Sequence, residues 1–132
     1  MAEIIIADDN TQKISKIISP KHGKGGLFLG NQHGALEIDL LKKYGITAVI
    51  TIAKEIIPKY GTTITHMKIE VEDQPLVYIY PYFNQTYDFI KKELAQGNVF
   101  IHCKMGISRS ASLVIAYIMR KYKCTYNKVD HC

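Results

Sequence analysis

The stretch from residue 99 to residue 123 constrains this chain more than any other. Val99, Phe100 and Ile101 form a short, wholly apolar run of the kind expected in a strand covered on both faces. Residues 110–123 read as a helix that is apolar nearly all round, through Ala111, Leu113, Val114, Ile115, Ala116, Ile118 and Met119. Only residues 102–109 join the two, with none to spare for a wandering loop. A strand that hands over so directly to a buried helix belongs in a sheet covered by helices, and ligands of such sheets bind beyond the carboxyl ends of the strands.

The rest of the chain fits around that unit. Leu27 to Gly30 predicts a short strand ending in a glycine turn, and residues 35–44 predict a helix whose apolar stripe is Leu36, Leu40, Leu41 and Tyr44, stopped by Gly45. The β-branched run at 46–52 and the alternation of Met67, Ile69 and Val71 within 66–71 predict two further strands, with a turn marked by Pro58 and Gly61 between them. Phe83, Tyr87, Ile90 and Leu94 recur at helical spacing within 80–96, and Gly97 closes that helix. The segment before Leu27 is mixed. Strands alternating with helices give the expected class, an α/β fold with a central, mainly parallel sheet flanked by helices. With 132 residues, 47% of them apolar, and no repeat or linker, the expectation is a single domain over 1–132.

Seventeen Lys and Arg against twelve Asp and Glu leave a net charge of +5, spread without a long run or interleaved aromatics. A solvated basic surface is the expectation, and no nucleic-acid partner. No apolar stretch approaches a membrane span, and the amino terminus has neither a basic-then-apolar leader nor a glycine at position two. With an odd count of three cysteines, these features predict a cytoplasmic, thiol-reduced protein without a membrane partner, the nucleus also being open to it. His22, His33, His66 and His131 show no metal spacing and are expected at the surface or in packing, so neither a metal nor a cofactor is expected.

The connecting segment, HCKMGISRS at 102–110, carries the chemistry. Curled tightly, it points successive backbone N–H groups inward at the positive end of the following helix dipole, which makes an anion nest from Lys104, Met105, Gly106, Ile107, Ser108 and Arg109. Gly106 suits the curl. Cys103, at the start of the nest, feels those groups and Arg109, all of which favour a nucleophilic thiolate. The guanidinium of Arg109 can hold two oxygens of a phosphoryl group while the sulfur attacks phosphorus. Ser110, at the helix start, is placed to donate its hydroxyl to the sulfur, and His102 to orient the cysteine through a backbone contact.

These nine residues match HCxxGxxRS, the signature of protein tyrosine and dual-specificity phosphatases, at all five specified positions. The LFLGN of 27–31, the GITAVITIA of 45–53 and the SASLVIAYIMRKY of 110–122 resemble that family's early strand, next strand and central helix, so the likeness runs from about 14 to 123. Within the family, the Lys104–Met105 pair is similar to slingshot-type phosphatases. The resemblance implies a small dual-specificity catalytic domain without the family's usual C-terminal helices. It also implies a phosphorylated protein as substrate and a general acid shortly after the strand that precedes the long helix. Asp73 occupies that place, with Glu72 as the neighbouring rival. Phosphotyrosine, with phosphoserine and phosphothreonine, follows by resemblance, since no segment for a deep tyrosine-only pocket is visible.

Two other functions stay open at this point. Related folds dephosphorylate phosphoinositides or RNA 5′ ends, although here the loop carries only Lys104 as a basic residue ahead of its glycine. A binding module that holds phosphate without turnover is the other. Cys124 and Cys132 are candidates to resolve an oxidised Cys103, and the tyrosines at 78, 80, 82 and 87 are expected in helix packing before a peptide groove. The oligomeric state is left open.

Overall fold

Strand β5 (Asn98–Cys103) lies at the centre of a five-stranded sheet. In the computed structural model, which describes residues 13–53, 58–70, 79–103 and 108–125, β5 is preceded by β1 (Ile14–Ile18), β2 (Leu27–Gly30), β3 (Ile46–Ile52) and β4 (Thr65–Ile69). The sheet order is β1-β2-β5-β3-β4. β2, β5, β3 and β4 run parallel, and β1 closes the edge antiparallel to β2. Helices α1 (Gln32–Leu36), α2 (Ile38–Lys43), α3 (Phe83–Leu94) and α4 (Ser108–Tyr122) cover it, with a 3-10 turn at Tyr80–Tyr82 leading into α3. This is the expected mainly parallel, helix-flanked sheet.

The two-residue period of β5 divides its side chains between two cores. Val99, Ile101 and Cys103 join a cluster with Ile90 of α3 and Leu113, Val114, Tyr117 and Ile118 of α4. Phe100 joins the opposite cluster with Phe28, Ala35, Leu41, Val49, Tyr60 and Ile64. Each fully buried aliphatic or aromatic side chain on either face contributes roughly 1.5–3 kcal/mol, so neither face is dispensable.

Three local expectations change. Residues 35–44 are two short helices, because Asn31 caps an earlier start, its Oδ1 accepting from the N–H of His33 at 2.9 Å and of Gly34 at 3.1 Å. The chain then turns at Glu37, with φ −93° and ψ 87°. That turn leaves Leu36 55% exposed and Tyr44 39% exposed, while Leu41 keeps its expected inward place and Ala35 joins it. Gly45, by contrast, terminates α2 as anticipated, at φ 69°. Gly97 closes α3 for a different reason: a Cβ there would overlap the side chain of Thr47. Finally, β1 falls in the segment that gave no pattern. A bulge between Lys16 and Ile18 breaks its alternation, and two adjacent isoleucines, Ile17 and Ile18, are both buried.

α4 is less enclosed than its composition implies. Ala111, Ile115, Ala116 and Met119 are half-buried, while Leu113, Val114, Tyr117 and Ile118 face the sheet.

Candidate active site

Cys103 is the last residue of β5 and pairs in register with Ile52, the last residue of β3. The chain re-enters helix at Ser108, so the amino-terminal end of α4 is set against the carboxyl end of the central strand. Its dipole therefore places partial positive charge beside the cysteine. Ser110 reaches the sulfur because the strand ends with Cys103 facing α4 and the first turn of α4 faces the strand. The Ser110 Oγ lies 3.5 Å from the Cys103 Sγ, and both residues are buried, at 0% and 1% exposure. A serine hydroxyl at that distance stabilises a thiolate by donating to it. Arg109 stands in the same first turn, half-buried.

The remaining candidates are not described. Lys104, Met105, Gly106 and Ile107 of the anion nest, Asp73 and its rival Glu72 all lie outside the described residues, as does Cys132. Ser108 begins α4. Cys103 is in no disulfide, whereas Cys124 is disulfide-bonded, which removes Cys124 as a resolving thiol and departs from the expected thiol-reduced state.

His102 points the other way. One residue before Cys103 in an extended strand, its side chain emerges on the opposite face, fully buried and stacked on Phe100 with ring centroids 5.7 Å apart and an interplanar angle of 11°. Its register partner on β3 is Thr51. The Thr51 Oγ1 lies 2.7 Å from His102 Nε2 and 2.6 Å from His66 Nε2, so one hydroxyl links two imidazoles from neighbouring strands. Tyr60 holds the His66 ring edge-on at 5.0 Å and donates its hydroxyl to the Ala35 carbonyl at 2.7 Å.

Burial holds the His102 imidazole well below the ordinary histidine value of 6.5, at about 4. The Cys103 backbone opposes that shift, and His66 adds to it. His66 is itself lowered, by its own burial and then by Lys68. Both rings are therefore neutral near pH 7.

His66 and Thr51 were not among the expected site residues; the histidine carried no metal spacing and read as packing. The one available signal is Thr51, a hydroxyl inside an otherwise apolar strand interior, AVITI at 48–52. A fully buried threonine needs a partner for its hydroxyl, but the sequence does not say which.

The tyrosines near α3 are elsewhere. Tyr87 packs on Tyr117 with centroids 5.3 Å apart and lies under the Arg120 guanidinium at 3.9 Å, while Tyr80 is 77% exposed. They border a cleft of about 440 Å³ between α3 and the carboxyl half of α4, whose amino-terminal end carries Ser110. Among the described residues no cluster of His, Cys, Asp and Glu has the geometry to hold a metal ion.

Comparison with known proteins agrees with this architecture. Residues 27–131 match the family model for the dual specificity phosphatase catalytic domain. The chain is 38% identical over 104 residues to dual specificity protein phosphatase 1B of Arabidopsis thaliana, covering 78% of this chain and 62% of that protein. It is 35% identical over 100 residues to human protein phosphatase Slingshot homolog 3, covering 75% of this chain and 15% of that protein. The chain thus spans less than two thirds of the length of these curated relatives.

Among solved structures, a human tyrosine phosphatase-like serine/threonine/tyrosine-interacting protein superposes with TM-score 0.73 at 33% identity, over 84% of this chain and 77% of that one. DUSP15 superposes with TM-score 0.71 at 36% identity, over 78% of this chain and 66% of that one. The strand-to-helix junction at Cys103, the sheet around it and these matches together place the chain in the dual-specificity phosphatase catalytic-domain family.

Proposed function

We propose that this chain is a cysteine-dependent phosphatase of phosphorylated proteins, acting on phosphotyrosine and on phosphoserine or phosphothreonine. The observation that carries the reading is the buried Cys103 Sγ at the carboxyl end of the central strand, with Ser110 Oγ 3.5 Å away at the start of α4. Packing alone does not require a thiol, a hydroxyl and a helix amino terminus to converge on one point.

In the proposed reaction the Cys103 thiolate attacks phosphorus, the bond to the leaving oxygen breaks, and Asp73 gives that oxygen its proton. Arg109 holds two non-bridging oxygens. Water, losing a proton to Asp73, then attacks the cysteinyl phosphate; sulfur leaves as thiolate and Ser110 stabilises it by donating its hydroxyl. The Asp73 assignment is carried by resemblance to the family.

The test is hydrolysis of para-nitrophenyl phosphate across pH, without added metal, by the parent, Cys103→Ser and Asp73→Asn proteins. Loss of at least about 10⁴-fold in kcat for Cys103→Ser, and a smaller loss for Asp73→Asn on the acid-dependent side of the profile, is the expected result. A folded parent that never turns over, while Cys103→Ser still retains a phosphopeptide, would instead establish a binding module. That second reading is favoured by one observation, the close superposition on a protein described as tyrosine phosphatase-like.

A further inference from the structure

The histidine–threonine–histidine chain lies on the face of the sheet opposite the cysteine sulfur, and the two-step reaction above leaves it without a role. Its chemistry is constrained. Thr51 Oγ1 has one proton and sits within 2.7 Å of Nε2 on both His66 and His102. A hydroxyl can donate to only one of them, so at least one imidazole must present Nε2–H to it. His102 Nδ1 is fully buried and has no hydrogen-bond partner in good geometry among the described residues. The backbone of Cys103, the next residue in β5, favours a proton on the ring. A proton on Nδ1 suits that neighbour; a lone pair there does not.

A consistent order follows. His66 donates Nε2–H to Thr51, Thr51 donates its hydroxyl to His102 Nε2, and the single proton of neutral His102 is left on Nδ1, one residue before Cys103 in the chain. The reverse order would leave Nδ1 with a lone pair in a buried place where no donor among the described residues reaches it. His66 is held for the task by the edge of Tyr60, and His102 by the stacked ring of Phe100. We propose that His66 is a positioning residue for the nucleophile: through Thr51 it sets the tautomer of His102, and so fixes the backbone at which the Cys103 loop begins. This rests on Cys103 being the nucleophile of the proposed phosphatase, and it adds a residue of β4 to that machinery. His66 touches neither substrate nor sulfur, so its effect is on the reactivity of Cys103.

His66→Phe keeps an aromatic ring against Tyr60 and removes the donor; His66→Gln removes the ring and restores an N–H. Thr51→Val keeps shape and removes the hydroxyl. The primary readout is the rate at which iodoacetamide alkylates Cys103 at about pH 6, followed by mass spectrometry of the Cys103 peptide, because thiolate reactivity is read there without turnover. Steady-state kcat and KM for para-nitrophenyl phosphate are the second. His66→Phe and Thr51→Val should each slow alkylation by about tenfold, the scale of one lost hydrogen bond, and lower kcat while KM stays within about twofold. The double variant should be no slower than either single one, since both break the same chain, and His66→Gln should recover most of the rate. Alkylation of folded His66→Phe at the parental rate overturns the proposal, and so does a His66→Gln protein as slow as His66→Phe. If His66→Phe does not fold, Thr51→Val against Thr51→Ser makes the same decision. A parent without turnover would defeat the proposed function and leave the alkylation comparison intact.

Discussion

On one face of β5, Val99 and Ile101 sit in an apolar core under α4, and Cys103 ends that row against a serine. On the other, Phe100 sits in an apolar core beside α1 and α2, and His102 ends the row against a threonine and a second histidine. Each face ends in polar groups at the carboxyl end of the strand. They differ in what those groups can do: the Cys103 face offers a thiol beside a helix amino terminus, whereas the His102 face offers two neutral imidazoles, one fully buried and one half-buried. A single strand thus presents the thiol on one side and the histidine–threonine–histidine chain on the other, because successive residues of a strand point in opposite directions.

The largest effect tests whether the faces are equal as structure. Phe100 and Leu113 are both essentially fully buried, one in each core. Phe100→Ala and Leu113→Ala should each cost about 3–4 kcal/mol in urea unfolding. A loss below about 1 kcal/mol for either would mean that its face closes over the gap and contributes less than its burial implies.

Acid should separate the faces next. The unfolded chain takes up a proton on His102 near 6.5, and the folded chain takes it up only near 4. Stability is therefore complete above the first value and is lost as pH falls toward the second, by on the order of 3 kcal/mol. His66, also lowered, adds loss in the same direction. Urea midpoints measured between those two pH values should fall steeply for the parent and less steeply for His102→Gln. Equal slopes would place the acid sensitivity elsewhere.

The smallest effect belongs to the cysteine face and is purely chemical. Ser110→Ala should leave the melting temperature near that of the parent and lower kcat by about tenfold. In a rapid-quench experiment it should show a burst of alcohol followed by slow turnover, since loss of the hydroxyl hinders departure of the thiolate from the cysteinyl phosphate. An unchanged kcat would reduce the 3.5 Å contact to packing.

The sequence by itself determined what is local. Apolar periodicity marked β2 to β5, α3 and α4, since each element must bury one stripe or two faces within its own length. The contiguous HCKMGISRS segment named Cys103, Arg109 and Ser110 because one strand-to-helix junction carries all three. Patterns failed where a local element answers to a distant one: the bulged β1, whose pairing is decided by β2, and the helix at 35–44, broken at Glu37 so that Leu36 faces solvent and Ala35 the core.

Tertiary structure alone decided that Thr51, His66 and His102 meet. They come from three different strands separated by 15 to 51 residues, and their junction exists only because the parallel register sets Thr51 opposite His102 and His66 within reach of the same hydroxyl. A one-residue slip in either pairing would send the threonine to the other face. No spacing along the chain encodes that register; it is set by the packing of both cores at once.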